Sequence, residues 1–215
     1  MTTDYRLLLA GYCLFSFIIG SIPTGLLVSR TRGIDLRKVG SGNIGATNVL
    51  RAMGKGAALL TLIGDMLKGA LPLLIYRWGI LGTPYLIQGQ LSMVSPELFV
   101  GMTGLFAILG HNFSLFLKFR GGKGVATSFG VLFAYSPYVG LLTAIFWLLA
   151  AKRTKYSSLS ALIAFGLLPF SIYMLDFSKE KLMIGIAIAF LIFVRHAGNI
   201  KRLVQGTESR IGQKG

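Results

Sequence analysis

The chain has 215 residues, of which 53% are hydrophobic and only 13% are charged, and its net charge is +15. A soluble domain of this size carries about 25% charged residues, so the composition excludes an ordinary soluble protein and indicates one integral membrane domain over residues 1–215. Nucleic-acid binding is excluded as well, because such proteins spread basic residues over a soluble surface. Here the cations are confined to short connections between apolar segments.

Of seven apolar segments, four meet or approach the length of about 20 residues that a helix needs to cross roughly 30 Å of hydrocarbon, namely 5–29, 57–78, 97–117 and 157–175. The last segment, 180–195, is shorter but clearly apolar, and the stretch 124–151 is too long for one span. We divide the fourth from the fifth at Ser136-Pro137, because the residue before a proline is pushed out of the α region. The fourth is only about half a span and is expected to be a partial helix shielded by its neighbours. The sequence therefore predicts an all-α integral membrane protein, a bundle of about seven transmembrane helices. Their segments are 5–29, 57–78, 97–117, 124–135, 137–151, 157–175 and 180–195.

The distribution of cations predicts how the bundle is oriented. With seven spans the connections alternate between the two sides of the membrane, and Lys and Arg are enriched on the cytoplasmic side. One side carries only Arg6, Arg77, Lys179 and Lys181, and Lys68 lies within a span, which leaves 17 of the 22 Lys and Arg on the other side. The N-terminus should therefore lie outside and the C-terminus in the cytoplasm. Merging the fourth and fifth segments would weaken this asymmetry.

Three polar, glycine-rich stretches fall on the predicted cytoplasmic side, and the first runs from Ser41 to Arg51. Glycines let backbone N–H groups approach an anion, Ser, Thr and Asn add side-chain donors, and Arg51 can hold a phosphate through two parallel hydrogen bonds. A helix cap and turn would account for one or two such residues, but not for eight in a row. The stretch predicts an anion site with the candidates Ser41, Gly42, Asn43, Gly45, Thr47, Asn48 and Arg51.

The second stretch lies between residues 110 and 127 and is centred on a glycine turn around Lys123. It is not a nucleotide P-loop, in which Ser or Thr follows the lysine. A glycine turn that opens an apolar helix still presents free N–H groups and a positive dipole end to phosphate. The alternatives are a tight turn with an interfacial lysine and, for His111, an ordinary interfacial histidine. The candidates are His111, Gly121, Gly122, Lys123, Gly124 and Thr127.

The third stretch runs from His196 to Glu208. His196 and Asn199 share a face if the segment is helical, and a histidine among cations can bind phosphate or move a proton. Glu208 is a rare acid on the cationic side, and we expect it to pair with an Arg or Lys and to hold the pocket together. The neighbouring cations suit contact with anionic lipid and need no other role. These cations are Lys201, Arg202 and Arg210.

Asp65 and Lys68 lie three residues apart inside the second span. An ionisable residue within the membrane is a functional candidate by default. Because each of these two can neutralise the other on one helix face, a structural ion pair and a functional pair both stay open.

The residue types also indicate which chemistry the site would use. No Asp, His or Cys cluster has metal-ligand spacing, and no Gly-x-Ser-x-Gly elbow is present. We therefore expect no metal and no cofactor. The candidate groups are hydrogen-bond donors and cations, which polarise a phosphate-containing substrate and stabilise a developing oxyanion. This predicts acyl or phosphoryl transfer without a metal.

Motifs along nearly the whole chain carry a family resemblance. They lie at residues 20–25, 40–48, 110–113, 119–127, 195–200 and 206–208. In this order they resemble the bacterial acyl-phosphate:glycerol-3-phosphate acyltransferases. Asn112-Phe113-Ser114 departs from the pattern, since the family often has Pro after the aromatic residue, and the connection 79–96 looks longer than family members need.

The resemblance implies a seven-span enzyme of the bacterial inner membrane with its active site on the cytoplasmic side. It would transfer a fatty acyl group from acyl phosphate to the 1-hydroxyl of glycerol 3-phosphate, giving lysophosphatidic acid and phosphate in phospholipid synthesis. Its partners would be these two substrates and membrane lipid. By the same resemblance Ser41 and Arg51 belong to an essential motif, and residues 121–124, including Lys123, to a glycerol-phosphate loop. The resemblance also implies that His196 and Asn199 support activity and that Glu208 supports integrity.

Our mechanistic hypothesis is direct attack by the glycerol hydroxyl, with Arg51 and Lys123 neutralising phosphates. The base is either His196 or the phosphate of the donor. Two other functions stay open: a membrane transporter or anion-binding protein that uses the Asp65 and Lys68 pair for a phosphorylated small molecule, and a structural protein that binds anionic lipid.

Overall fold

The computed structural model describes residues 5–78 and 95–213, and every regular element in these ranges is helical. Most of the long connection 79–96 lies outside them. Two short 3₁₀ helices, Leu36–Lys38 and Leu115–Leu117, accompany the α-helices. The α-helices are α1 Tyr5–Ser21, α2 Thr24–Arg30, α3 Ala46–Met53, α4 Lys55–Arg77, α5 Pro96–Asn112, α6 Val125–Tyr135, α7 Pro137–Thr154, α8 Ser157–Gly166, α9 Leu168–Leu175, α10 Lys179–Arg195 and α11 Ala197–Val204.

Three helical segments of the described chain are long and apolar enough to cross a membrane, namely Arg6–Arg30, Lys55–Arg77 and Pro96–Leu117. The number rises to five if the bent pairs α8–α9 and α10–α11, with bends of 41° and 58°, each count as one span. The expected break at Ser136 separates α6 from α7, and α6 is a short helix of 11 residues. Seven spans therefore remain a prediction.

Two of the expected continuous spans are interrupted. The first breaks after α1, where Pro23 precedes α2. The sixth breaks at Leu167, between α8 and α9, and Pro169 lies in the first turn of α9. Proline has no backbone N–H to donate to the preceding turn, so each break falls where the helix loses a hydrogen bond.

Helices α1 and α5 approach each other closely at two glycines. A Cβ on Gly20 would overlap the carbonyl of Ala107, and one on Gly110 would overlap the carbonyl of Phe17. Small residues at such crossings let two backbones pack in direct contact. This crossing fixes the C-terminal end of α5, where His111 lies.

Helices α4 and α6 meet in the same way. A Cβ on Gly69 would overlap the carbonyl of Thr127, and one on Gly130 would overlap that of Met66. Because α6 begins directly after Lys123, this crossing fixes the second polar stretch relative to α4.

A small apolar cluster supports the first polar stretch. It comprises Leu26, Leu36, Ile44, Val49 and Ala57, and both Leu36 and Val49 are fully buried. Burial of such a side chain contributes about 1.5–3 kcal/mol. The cluster anchors the connection between α2 and α3 against α4, which positions the Ser41 segment at the end of the bundle.

Candidate active site

The three polar stretches converge on a cavity of about 650 Å³. Ser41, Arg51, Lys123, His196 and Asn199, the five residues predicted to be catalytic, all line it. They come from three chain segments that are distant in sequence, so the convergence is a property of the fold. The other predicted site residues along its wall are Asn43, Gly45, Thr47, Asn48, His111, Gly124 and Glu208.

The same cavity continues between α4, α6 and α7, where its wall is apolar. Leu59 and Leu148 are 56% and 60% exposed, so this part adjoins the apolar exterior of the bundle. One cavity thus has a cationic part and an apolar part, which suits an amphiphilic ligand. The apolar wall is formed by Leu59, Leu62, Met66, Phe129, Phe133, Ala144, Trp147 and Leu148.

Asn48 organises the first stretch. Its Nδ2 donates hydrogen bonds to the carbonyls of Leu36 at 3.1 Å and Val39 at 2.9 Å, and its Oδ1 accepts one from the Ser41 N–H at 3.0 Å. Asn48 is 1% exposed. Its amide is therefore engaged within the loop, so the structure supports a positioning role where the sequence predicted substrate contact.

The backbone of this loop also needs its glycines. Gly42 has φ +69° and its N–H donates to the carbonyl of Val39, so it forms a turn. It does not line the cavity, unlike Gly45, which directly precedes α3. The place of Gly42 in the turn explains why glycine is required there, and its predicted contact with substrate stays a prediction.

Arg51 projects from α3 with an incomplete set of partners. Its Nη2 donates to the carbonyls of Ser209 and Arg210 at 3.3 Å each, and its Nε is buried without a hydrogen-bond partner. Burial lowers the pKa of Arg51, but a guanidinium remains charged at neutral pH. A partly buried guanidinium whose Nε donor has no partner is a binding group for a carboxylate or phosphate.

Thr47 links the first stretch to α8. Its Oγ1 lies 3.1 Å from Oγ of Ser157, and both residues line the cavity. The sequence analysis missed Ser157 and its neighbour Ser158, because two serines at a helix start are ordinary capping residues. Only the tertiary contact brings them to the site.

The glycines of the second stretch serve mainly in packing. A Cβ on Gly121 would overlap the His111 carbonyl, and one on Gly122 would overlap the His111 imidazole. Neither glycine lines the cavity, whereas Gly124, with φ +83°, does so at the start of α6. Gly121 and Gly122 thus pack against the end of α5, and their contact with substrate stays a prediction. Thr127 is also fully buried and lies outside the cavity wall.

Lys123 is the cation of this stretch that lines the cavity. Burial lowers the pKa of Lys123 to about 8, Glu208 opposes this shift, and the neighbouring guanidinium groups of Arg202, Arg51 and Arg195 add to it. Burial destabilises the charged form of Lys123 in the empty cavity, and an anion bound beside the ammonium stabilises that charged form. Lys123 is therefore suited to a phosphate ligand.

His196 and Asn199 lie on one face at the start of α11, and both line the cavity, as their spacing predicted. The His196 Nδ1 is 2.8 Å from the carbonyl of Ile192, so in the neutral ring this nitrogen carries the proton and Nε2 is the basic nitrogen. Asn199 Nδ2 donates to Oε1 of Glu208 at 2.7 Å. The histidine is thus oriented by the backbone and the asparagine by a carboxylate.

Glu208 joins three elements at the edge of the site. It accepts hydrogen bonds from Ser158 Oγ at 2.6 Å, from Asn199, and from Arg202 Nε at 2.7 Å. Burial alone would raise the pKa of Glu208, but these hydrogen bonds outweigh burial and lower it. The expected pairing with an Arg or Lys is confirmed. The partner is Arg202, for which the sequence had suggested only lipid contact.

Comparison with known proteins agrees with this site. The family model for glycerol-3-phosphate acyltransferase matches residues 10–206. The chain belongs to this family. Glycerol-3-phosphate acyltransferase from Sinorhizobium fredii is 45% identical over 203 residues, which are 94% of this chain and 91% of the relative. The protein of that name from Geotalea daltonii is 39% identical over 209 residues, 97% of this chain and 98% of the relative.

Two solved structures share the fold. Both are crystal structures of PlsY, an integral membrane glycerol 3-phosphate acyltransferase. Its glycerol 3-phosphate form is 37% identical, with a TM-score of 0.83 over 95% of this chain and 96% of that one. Its lysophosphatidic acid form is 36% identical, with a TM-score of 0.81 over 95% of each chain.

In this member of the acyltransferase family, Asp65 and Lys68 form the intramembrane ion pair, 2.8 Å apart. Lys68 Nζ also donates to the carbonyl of Ile22 at 2.8 Å, and Thr24 donates to Asp65. His111 Nδ1 lies 3.4 Å from the same Asp65 oxygen. These contacts favour a structural role for the ion pair over a direct functional one. It braces the α1–α2 break against α4 and the end of α5.

Arg195 is another residue that the sequence analysis missed, since it was counted there only as a charge and as part of a motif. Its guanidinium donates to the carbonyls of Gly121 and Gly122.

Within residues 5–78 and 95–213, no three His, Cys, Asp or Glu side chains are grouped so that they could hold a metal ion.

Proposed function

We propose that this protein transfers a fatty acyl group from acyl phosphate to the 1-hydroxyl of glycerol 3-phosphate. The products are 1-acyl-glycerol 3-phosphate and inorganic phosphate. The observation that carries the proposal is the shape of the cavity: Arg51 and Lys123 line its cationic part, and α4, α6 and α7 supply its apolar part. Both substrates carry phosphate, and one carries an alkyl chain, so the two parts match the substrate pair.

In the proposed reaction the glycerol hydroxyl oxygen attacks the acyl carbonyl carbon. A new ester C–O bond forms, the C–O bond to phosphate breaks, and the hydroxyl proton leaves through a base. Acyl phosphate is already activated, so no covalent enzyme intermediate is required. Arg51 and Lys123 neutralise the phosphates and the charge on the leaving group. Ser41, Asn43 and Thr47 orient the substrates.

The base is either His196 or the departing phosphate. His196 lines the cavity with its Nδ1 held by the Ile192 carbonyl, so Nε2 is its proton-accepting atom. This arrangement resembles other general-base histidines, whose second nitrogen is fixed by an acceptor. A phosphate oxygen of the donor is the second candidate, because it is generated next to the same proton.

We further propose that the chain has seven spans, with the N-terminus outside and the site on the cytoplasmic side of the bacterial inner membrane. The support is the charge distribution, which gathers the cations of all three cavity-lining stretches on one side. Single cysteines introduced into a Cys13→Ser background test this. Thr31→Cys, Arg120→Cys and Gln205→Cys should react with a membrane-impermeant maleimide only after the cells are opened, and Ser178→Cys should react in intact cells. The reverse pattern would refute the orientation.

The donor assignment is tested with purified protein in detergent. Palmitoyl phosphate, palmitoyl-coenzyme A and palmitoyl-acyl carrier protein are offered separately at equal concentration with labelled glycerol 3-phosphate. We expect acylated product only from palmitoyl phosphate. Product from either thioester but none from palmitoyl phosphate would exclude the proposed donor while leaving an acyltransferase.

The alternative of a transporter or anion-binding protein finds less support. The buried charges that translocation would use, Asp65 and Lys68, are engaged with each other, with Thr24 and with the Ile22 carbonyl. A transporter would also need sealed vesicles for a measurable activity, whereas the enzyme needs only both substrates in detergent.

A further inference from the structure

The geometry assigns Arg195 a positioning role: it holds the Gly121–Gly122 backbone so that Lys123 and the start of α6 present only donors and positive charge to the substrate phosphate. The inference rests on the proposed function. It concerns a residue that does not line the cavity and that acts through the loop.

The guanidinium of Arg195 forms hydrogen bonds with the carbonyl groups of two successive residues, Gly121 and Gly122. Its Nε donates to the Gly122 carbonyl at 3.0 Å, and its Nη2 donates to the carbonyls of Gly121 at 3.0 Å and Gly122 at 2.9 Å. The guanidinium also lies over the Phe113 ring, 5.2 Å from its centroid. A planar guanidinium presents its N–H donors in a fixed fork and stacks on a ring face, a geometry that a single ammonium does not reproduce.

The opposite side of the loop is closed by the end of α5. The N–H groups of Gly121 and Gly122 donate to the carbonyls of Asn112 and His111 at 3.2 and 3.0 Å. The His111 imidazole packs so closely on Gly122 that a Cβ there would overlap it. The two glycine peptides are therefore bound on both sides, by Arg195 and by the α5 terminus.

This arrangement has an electrostatic consequence for the cavity. Carbonyl oxygens that faced a phosphate would repel it, and an anion site requires converging donors. Arg195 takes up the carbonyls of Gly121 and Gly122, neither of which lines the cavity. The next residues, Lys123 to Ala126, do line it and supply an ammonium and the first N–H groups of α6.

Arg195 also links the second stretch to the third. It is the last residue of α10 and is directly followed by His196, whose Nδ1 is held by Ile192. The hydrogen bonds from Arg195 to Gly121 and Gly122 thus fix the position of His196 relative to Lys123. Loosening them should misplace the glycerol 3-phosphate subsite more than the acyl-chain part, which is formed by α4, α6 and α7.

The test compares Arg195→Lys, which keeps the charge, with wild type and with Lys201→Gln, which removes an exposed cation nearby. We expect Arg195→Lys to raise KM for glycerol 3-phosphate at least about tenfold, since it loses two or more charge-assisted hydrogen bonds. KM for acyl phosphate should change less than about twofold, and Lys201→Gln should match wild type. Guanidinium ion at millimolar concentration should partly restore the glycerol 3-phosphate KM of Arg195→Ala.

A second variant approaches the loop from its other side. Gly122→Ala keeps Arg195 but forces a methyl group against His111, and it should give the same selective rise in KM. If Arg195→Lys does not fold, the KM values of Gly122→Ala test the inference in its place. Unchanged KM for glycerol 3-phosphate in Arg195→Lys, or in a folded Gly122→Ala, overturns the inference. So do equal rises in KM for both substrates, which indicate general damage. An inactive wild type instead refutes the proposed function itself.

Discussion

Asn199 donates its side-chain amide to Glu208 across 2.7 Å, and this bond ties the helix that carries the third stretch to the C-terminal segment beyond it. The same carboxylate holds Ser158 at the start of α8 and Arg202 on α11. Glu208 is therefore the point at which three parts of the chain are joined beside the cavity. Its contribution to activity follows from holding these groups in place.

Replacing Glu208 by Gln should destabilise the protein and reduce activity together. The amide cannot accept from all three donors as a carboxylate does, and charge-assisted hydrogen bonds contribute about 1.5–3 kcal/mol each. We expect the unfolding midpoint of the detergent-solubilised protein to fall by about 5 °C and turnover to fall at least about tenfold. Glu180→Gln, at the start of α10, is the control and should change neither quantity. A Glu208→Gln protein with a wild-type unfolding midpoint would contradict this role.

The pKa of Lys123 predicts how substrate affinity depends on pH. In the empty cavity burial lowers it to about 8, so Lys123 is charged below pH 8 and neutral above it. Phosphate binds the charged form better and raises this pKa, so affinity declines as pH rises past 8. We expect KM for glycerol 3-phosphate to increase about tenfold between pH 7 and pH 9. The substrate phosphate is fully ionised over most of this range.

Lys123→Arg is the informative variant for that pH dependence. A guanidinium keeps its proton throughout the range, so KM should become nearly independent of pH between 7 and 9. Lys152→Arg, an exposed exchange at the end of α7, should retain the wild-type profile. A persistent rise in KM in Lys123→Arg would assign the titration to another group.

Asn48→Asp tests the positioning role of Asn48. The exchange preserves shape but replaces the Nδ2 that donates to Leu36 and Val39 with an oxygen, which those carbonyls repel. We expect turnover to fall about a hundredfold and the first loop to become more accessible to protease, since a buried unsatisfied acceptor costs about 1–3 kcal/mol. Gln205→Glu, an exposed exchange of the same kind, is the control. Loss of turnover without any change in proteolysis would instead favour direct substrate contact.

His196→Gln separates the two candidate bases. Glutamine can keep a hydrogen bond to the Ile192 carbonyl but cannot accept a proton. If His196 is the base, kcat should fall by about 10²–10³ with little change in either KM. Near-normal turnover across the pH range would show that the donor phosphate takes the proton.

The features that the sequence predicted correctly depend on residues close together along the chain. The break at Ser136-Pro137 follows from the sterics of proline, and the shared face of His196 and Asn199 follows from helical spacing. Both were found in the structure. The gathering of the three stretches at one cavity followed from the sorting of charge between the two sides.

The rest depended on contacts between distant parts of the chain. Thr47 meets Ser157 across 110 positions of sequence, and Arg195 reaches Gly122 across 73. No local pattern encodes such pairs. The packing requirement at Gly122 escaped the sequence analysis for the same reason, since it comes from the imidazole of His111 packed against this glycine.

The central claim, that the three stretches form one acyl-transfer site, is tested most directly by product stoichiometry. Purified protein in detergent is given palmitoyl phosphate and labelled glycerol 3-phosphate, and both lysophosphatidic acid and inorganic phosphate are measured in wild type and Ser41→Ala. We predict equal amounts of the two products in wild type, none when either substrate is omitted, and at least about a hundredfold less of both in Ser41→Ala. Phosphate release that does not require glycerol 3-phosphate, or an undiminished rate in Ser41→Ala, would contradict the account.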